Sequence, residues 1–159
     1  MAEFTGAADG RGRRLAVVVS RFNEHITRRL LDGCLEALHK HGMALDDVDV
    51  FWVPGAWELP YAARRAAASE RYDAIVALGA VIRGETPHFD YVAGESARGL
   101  AQASAEFDLP IAFGVLTTDT TQQAEARAGG AHGNKGWDAA LAALELTDLF
   151  SRLDAADEA

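Results

Sequence analysis

The chain has 159 residues, of which 49% are hydrophobic and 25% are charged. These proportions are typical of one compact globular domain and exclude wholesale disorder. The 24 acidic residues outnumber the 15 basic residues and give a formal net charge of -9, which disfavours nucleic acid and anionic membranes as main partners.

Membrane insertion, secretion and disulfide chemistry are also disfavoured. The longest apolar run covers residues 74–82, whereas a membrane-spanning helix needs roughly 18 apolar residues. No basic segment followed by an apolar core opens the chain, so we expect no secretory signal. Cys34 is the single cysteine, which excludes an internal disulfide or a cysteine metal cluster, and we expect a cytoplasmic protein.

The first residues differ in composition from the rest of the chain. Residues 1–14 hold three glycines among charged residues and show little apolar pattern, so we predict a flexible N-terminal arm. We expect a single domain over residues 15–153 and a short C-terminal tail over residues 154–159.

Four apolar runs rich in β-branched residues predict strands that are buried on both faces. They cover residues 15–19, 48–53, 74–78 and 111–116. Helix-favouring segments between and after these runs predict five helices. They cover residues 23–41, 57–71, 90–107, 120–128 and 134–153. This alternation predicts the α/β fold class, in three layers, with a four-stranded parallel sheet that carries helices on both faces.

The last predicted helix is apolar on two sides. Its main apolar face includes Leu146, Phe150 and Leu153, while Leu141 and Leu144 begin a second face. A contact with another subunit would cover such a face, and a deep groove in the same domain would cover it almost as well. The sequence leaves both explanations open.

Unusual residues follow each of the four predicted strands. They lie in residues 20–23, 54–58, 79–90 and 117–119. The carboxyl ends of parallel strands share one edge of the sheet, where open α/β sheets bind ligands, so we expect a pocket with aromatic walls there. The chain lacks a G-x-x-x-x-G-K-[ST] phosphate loop, a G-x-G-x-x-G turn after the first strand and a G-x-S-x-G elbow. This favours cofactor-free chemistry or simple binding.

Each candidate side chain in these segments also has an ordinary structural explanation. Phe22 is placed to cap the core, and Glu58 favours the dipole of the helix that it begins. Thr86 suits an N-terminal cap. His88 is one of five histidines, and an arginine such as Arg127 near a helix end is usually solvated. Residue type alone therefore does not decide between binding and structure.

Five motifs are more specific than the residue types that they contain. They read VVSRFN at 18–23, VPGAWELP at 53–60, ALGAVIRGETPHFDY at 77–91, FGVLTT at 113–118 and GNKG at 133–136. Together they closely resemble the 6,7-dimethyl-8-ribityllumazine synthases, which act in riboflavin biosynthesis. The resemblance extends from about Leu15 to Leu149.

The resemblance implies a flavodoxin-like sheet, assembly into pentamers and a pocket that neighbouring subunits share. The implied reaction joins 5-amino-6-(D-ribitylamino)uracil to 3,4-dihydroxy-2-butanone 4-phosphate and gives the lumazine, phosphate and water. The substrates are small molecules, and neither a metal nor an organic cofactor is implied. Riboflavin synthase is a possible further partner.

The resemblance also implies roles for the residues that would bind the ribitylaminouracil. Phe22 would stack on the pyrimidine ring. Backbone groups of Ala56 and Trp57, with the carboxylate of Glu58, would hold the ribityl chain. The edge of the pyrimidine would be read by the backbone of three consecutive residues, Ala80, Val81 and Ile82.

The remaining implied roles concern the phosphorylated substrate and proton transfer. Glu85 and Thr86 would offer backbone amides to the phosphate, and Arg127 would pair with it. His88 would move protons. Phe113 would come from the neighbouring subunit and close the aromatic wall of the ribitylaminouracil site. Lys135 is near this site in the family and receives no role here.

Two features of the sequence concern the size of the pocket and the form of the assembly. Family members vary at the position of Trp57, and its large indole would narrow the ribityl end of the pocket. The short loop at residues 129–134 resembles that of members that form sixty-subunit shells. A protein that binds a lumazine or flavin without catalysis, or a cage-forming protein on the same fold, is the alternative; the combination of His88 and Arg127 favours an enzyme.

Overall fold

A computed structural model, which describes residues 1–158, contains a four-stranded parallel sheet with helices on both faces. The elements in chain order are β1 (Leu15–Ser20), α1 (Glu24–Lys40), β2 (Val48–Val53), α2 (Leu59–Ala68), β3 (Ala74–Ile82), α3 (His88–Phe107), β4 (Ile111–Thr118), α4 (Thr121–Ala126), β5 (Ala128–Gly130), β6 (Gly133–Asn134) and α5 (Lys135–Glu158). The predicted α/β class and three-layer arrangement are confirmed.

The sheet has apolar side chains on both faces, as the continuous runs predicted. Along β1, Leu15 and Val17 belong to the core beneath α1 and α5, while Ala16 and Val18 belong to the core beneath α2 and α3. All four are completely buried. Successive residues of a strand point to opposite faces, and each buried Leu or Val stabilises the fold by about 1.5–3 kcal/mol.

The strand order is β2-β1-β3-β4, so the chain changes direction across the sheet between β1 and β3. The crossover through α1 covers one face, and the crossover through α2 covers the other. The carboxyl ends of β1 and β3 are therefore flanked by loops that diverge. Open α/β sheets bind ligands at such a switch point.

The structure lengthens three of the predicted strands, and β1 gains only Ser20. β3 continues to Ile82 and β4 to Thr118, because their pairing persists through Val81 with Thr117 and Ile82 with Thr118. α2 begins after a 3₁₀ turn at Ala56–Glu58 and ends at Ala68, before the predicted end. The antiparallel pair of β5 and β6 was not predicted, since its five residues contain no apolar alternation.

The two ends of the chain contact one another. The N–H group of Ala7 donates to the Asp148 carboxylate of α5 over 2.7 Å, and the Arg13 guanidinium donates to Ser151 Oγ over 3.0 Å. α5 continues to Glu158, beyond the predicted end at Leu153. Residue 159 of the predicted tail lies outside the described residues. The flexibility of residues 1–14 stays a prediction.

The long helix α5 has a buried face and an exposed apolar strip. Ala139, Ala143 and Leu144 are buried against the domain, whereas Leu146 and Phe150 remain more than a third exposed. Within residues 1–158, none of the helices combines the length and the apolar character that a membrane span requires.

Candidate active site

A cleft of about 700 Å³ opens at the carboxyl ends of β1, β2 and β3, at the switch point of the sheet. It is lined by Phe22, Pro54, Gly55, Ala56, Trp57, Glu58, Ala80, Val81, Ile82, Gly84, Thr86, His88, Phe89, Tyr91 and Val92. The structure therefore brings together the residues that were predicted to hold the ribitylaminouracil, except Phe113. Thr86 and His88 line the same cleft.

The turn between β1 and α1 fixes the position of Phe22. Its N–H group donates to Pro54 O over 2.9 Å, and the next residue, Asn23, adopts a left-handed conformation with φ 62°. The Asn23 side chain donates to Ala80 O over 2.9 Å. The backbone is therefore tied to two neighbouring strands, while the Phe22 ring is 71% exposed and free to stack on a planar ligand.

The turn between β2 and α2 brings a carboxylate to the floor of the cleft. Residues Ala56–Glu58 form a 3₁₀ turn in which the Glu58 N–H donates to Gly55 O over 3.2 Å. A Cβ atom at Gly55 would lie 3.8 Å from Glu58 Oε1, so the half-buried carboxylate folds back over this glycine. Across the described residues, no hydrogen bond or ion pair engages that carboxylate, and it is available to hydroxyl groups of a ligand.

The third segment, residues 83–87, joins β3 to α3 and is exposed. α3 begins at His88, whose N–H group donates to Thr86 Oγ1 over a long 3.4 Å. The first N–H groups of a helix lack partners within it, and the helix dipole is positive there, so this end favours an anion. The exposed imidazole of His88 lies beside that end. The side chain of Glu85 does not line the cleft; its predicted role concerns the backbone alone.

Phe113, Arg127 and Lys135 lie elsewhere, in a second pocket of about 480 Å³ along the free edge of β4. We call it the edge pocket; it is lined by Phe113, Val115, Leu116, Thr117, Thr118, Arg127, His132, Lys135 and Asp138. Within a single chain, Phe113 and Arg127 lie apart from Phe22 and His88, because β4 forms the edge of the sheet, beyond β3. For Phe113, which was expected to come from a neighbouring subunit, this separation agrees with the expectation. Residue types gave no signal for His132 or Asp138.

Local interactions fix the Arg127 side chain and the start of α5 beside the edge pocket. The Arg127 guanidinium donates to Gln123 O over 3.0 Å. Lys135 begins α5 next to Asn134, whose Oδ1 accepts the N–H group of Gly136 over 2.8 Å. A Cβ atom at Gly136 would collide with the backbone oxygen of Leu30, so this close approach requires glycine.

The two pockets differ in charge. The cleft is lined by Glu58 and His88 and has no lysine or arginine, whereas Arg127 and Lys135 face the edge pocket. Among the described residues, no three His, Cys, Asp or Glu side chains form a group that could hold a metal ion. Cys34 lies in the core, and burial raises its pKa to about 12, which keeps the thiol protonated and unreactive near neutral pH.

A cleft with aromatic walls and a few polar groups at the switch point of a flavodoxin-like sheet is typical of a protein that binds a small molecule. The comparisons with known proteins are specific. The family model for 6,7-dimethyl-8-ribityllumazine synthase matches residues 12–151. A relative in Gemmatimonas aurantiaca, named 6,7-dimethyl-8-ribityllumazine synthase, is 67% identical over 152 residues, which is 96% of this chain and 93% of that protein.

The chain therefore belongs to the 6,7-dimethyl-8-ribityllumazine synthase family. The resemblance drawn from the five motifs is confirmed. So is the predicted class of enzyme, a transferase of riboflavin biosynthesis that forms the lumazine.

Proposed function

We propose that this chain condenses 5-amino-6-(D-ribitylamino)uracil with 3,4-dihydroxy-2-butanone 4-phosphate at a site that two neighbouring subunits build together. The observation that carries the proposal is the division of the expected site residues between the cleft and the edge pocket. One subunit supplies the cleft, and the edge pocket of its neighbour supplies Phe113 and Arg127.

The cleft binds the ribitylaminouracil in this proposal. Phe22 stacks on the pyrimidine ring, and the backbone of residues 80–82 reads its edge. The Glu58 carboxylate and the backbone of Ala56 and Trp57 hold the ribityl chain. The exposed ring of Phe22 and the unengaged carboxylate of Glu58 support this assignment. Trp57, which is 58% exposed at the rim, narrows the ribityl end.

The phosphate of the second substrate lies between the start of α3 and the neighbour's edge pocket. Backbone amides at Glu85 and Thr86 donate to it, and the Arg127 guanidinium pairs with it. Charge supports this division. The chain has a net charge of -9, and no cation lines the cleft, so an anionic substrate needs a positive group from another surface.

His88 moves protons during the reaction. The amine of the pyrimidine attacks the ketone and an imine forms with loss of water. Phosphate then leaves, and the second amine closes the ring on the remaining carbonyl with loss of a second water. These steps change no oxidation state overall, so proton transfer and positioning are what the protein must supply. One acid–base group contributes about 10²–10⁴-fold, whereas alignment of two reactants contributes roughly 7–11 kcal/mol, which makes alignment the larger effect.

The proposal includes a pentamer, and further a sixty-subunit shell of twelve pentamers. The exposed strip of α5 at Leu146, Phe150 and Leu153 supports a subunit contact. The resemblance of the short loop at residues 129–134 to that of shell-forming family members supports the shell. We also propose that the protein is cytoplasmic and that riboflavin synthase is a partner.

Mixing the purified chain with both substrates tests the function. We expect lumazine absorbance to rise with release of one phosphate per lumazine. Binding of the product without turnover would favour the non-catalytic alternative. Native mass spectrometry of the same sample distinguishes a pentamer from a shell, and a catalytically active monomer would contradict the shared site.

A further inference from the structure

Arg83 joins three elements around the cleft. It follows β3, and its N–H group donates to Thr118 O on β4 over 2.8 Å. Its Nε lies 2.9 Å from Asp119 Oδ1, at the junction of β4 and α4, and its Nη1 lies 3.5 Å from Asp90 Oδ1, in the first turn of α3. The guanidinium also covers the ring of Phe89, with its Cζ 4.3 Å from the ring centroid.

Asp119, which pairs with Arg83 at the junction of β4 and α4, is itself held by a neighbouring residue. The Asp119 N–H group donates to Gln123 Oε1 over 2.8 Å. Gln123 takes part in a capping box with Thr120 at the start of α4. The backbone at Asp119 therefore has a defined position relative to α4, and the Asp119 carboxylate connects this position to Arg83 at the end of β3.

The segment that follows Arg83 has little to shape it internally. Residues 84–87 are exposed, and a Cβ atom at Gly84 would meet no heavy atom within 4 Å. Among the described residues, the side chains of this segment make a single hydrogen bond, in which Thr86 accepts the N–H group of His88. Its conformation is therefore set at its ends, by Arg83 on one side and by the first turn of α3 on the other.

We propose that Arg83 is a positioning residue for the phosphorylated substrate, an inference that rests on the proposed function. Arg83 pairs with Asp119 and Asp90 and thereby holds residues 84–87 so that their N–H groups converge on the phosphate. Both carboxylates contact its guanidinium, so Arg83 does not bind the phosphate itself. Its planar guanidinium can engage two carboxylates and a ring at once, which a lysine ammonium cannot.

This arrangement serves positioning more than stability. The side chains of Arg83, Asp119 and Asp90 are 47%, 66% and 63% exposed. Exposed ion pairs contribute little to the free energy of unfolding. Removing them should therefore leave the melting temperature nearly unchanged and act instead on the affinity for the phosphorylated substrate.

Steady-state kinetics of the assembled protein test this inference. We expect Arg83→Gln and Asp119→Asn each to raise the KM for the phosphorylated substrate about tenfold, the effect of losing one hydrogen bond to a charged group. The KM for the ribitylaminouracil and the melting temperature should not change. The double variant should be no worse than Arg83→Gln alone, because Arg83→Gln already removes the contact with Asp119. Arg83→Lys should recover only part of the loss.

The sign of the Asp119→Asn effect separates positioning from direct binding. If Arg83 bound the phosphate itself, loss of its carboxylate partner would free the guanidinium and lower that KM. A lower or unchanged KM in Asp119→Asn overturns the inference. So does an equal rise of both KM values with a fall in melting temperature, which indicates a general structural role.

Two reference proteins complete the design. Arg98→Gln removes an arginine that pairs with Glu95 within α3 and that lines neither pocket, and both its KM values should match those of the unchanged protein. If the unchanged protein forms no lumazine, the proposed function fails. If it turns over normally and the Arg83 variants match Arg98→Gln, only the positioning role fails.

Discussion

The side-chain amide of Asn23 donates to the backbone oxygen of Ala80 over 2.9 Å, across the switch point between β1 and β3. This hydrogen bond joins the turn that carries Phe22 to the strand end that is proposed to read the pyrimidine. Asn23 also holds a left-handed backbone with φ 62°, which asparagine tolerates better than most residues. One residue thus sets both the turn and its distance from β3.

Replacement of Asn23 should separate these two contributions. Asn23→Ala loses the hydrogen bond, worth about 0.5–1.5 kcal/mol, and adds left-handed strain of about 1–2 kcal/mol. Asn23→Gly loses the hydrogen bond without that strain. We therefore expect a lower melting temperature for Asn23→Ala than for Asn23→Gly, and a raised KM for the ribitylaminouracil in both. Equal melting temperatures would show that the backbone is not constrained there.

Loss of the imidazole at position 88 should slow the reaction without abolishing it. Alignment of the substrates outweighs one acid–base group, so His88→Ala should reduce kcat by about 10²–10⁴-fold and leave measurable turnover. His39→Ala, which removes an exposed histidine of α1, is the matched control and should keep full activity. Complete inactivity of a folded, assembled His88→Ala variant would count against this division of roles.

Arg127 should govern the use of the phosphorylated substrate. A hydrogen bond to a charged group is worth about 1.5–3 kcal/mol, so Arg127→Ala should raise the KM for that substrate by roughly ten- to a hundredfold. The KM for the ribitylaminouracil should remain the same. Inorganic phosphate should also inhibit the variant less than the unchanged protein. An unaltered KM for the phosphorylated substrate would refute the assignment.

Local sequence patterns were sufficient to predict the sheet, and the edge at which the cleft opens. The runs at 15–19 and 74–78 are apolar throughout, which marks strands buried on both faces, and parallel strands place their following loops at one edge. The separation of Phe113 and Arg127 from the cleft could not be predicted from residue types. It depends on the position of β4 at the edge of the sheet, and the packing of the whole domain decides that position. The resemblance implied that Phe113 comes from a neighbouring subunit.

Arg83 illustrates a second limit of sequence reasoning. Arg83 belongs to the motif at 77–91, and its residue type indicates no separate role for it. Its contact with Asp119 joins residues that are 36 positions apart, and its contact with Asp90 spans the exposed loop before α3; no local pattern marks either contact. Ion pairs between exposed residues depend on the relative placement of loops, which periodicity does not determine.

The buried thiol of Cys34 predicts a dependence of stability on alkaline pH. Its pKa rises from 9.0 to about 12 because of burial, so above pH 9 the unfolded chain releases a proton that the folded chain keeps. Between these values the free energy of unfolding should fall by about 1.4 kcal/mol per pH unit. Chemical denaturation at several pH values measures this slope. Cys34→Ala lacks the thiol and should show a smaller slope; equal slopes would contradict the prediction.

Mixed assemblies provide the most direct test of a site that two subunits share. His88→Ala removes a group of the cleft and Arg127→Ala removes a group of the edge pocket, so each variant alone damages every site. If the variants are unfolded, combined and refolded together, a cleft with His88 can meet a neighbour with Arg127. Random mixing in equal amounts makes about a quarter of the sites complete.

The expected result is therefore activity in the mixture well above that of either variant refolded alone, approaching about a quarter of that of the unchanged protein treated in the same way. Refolding each variant with the unchanged protein controls for losses during assembly. If His88 and Arg127 acted within one chain, mixing could never restore both to the same site. A mixture no more active than the average of its two components would thus place the whole reaction in a single subunit and overturn the division between the cleft and the edge pocket.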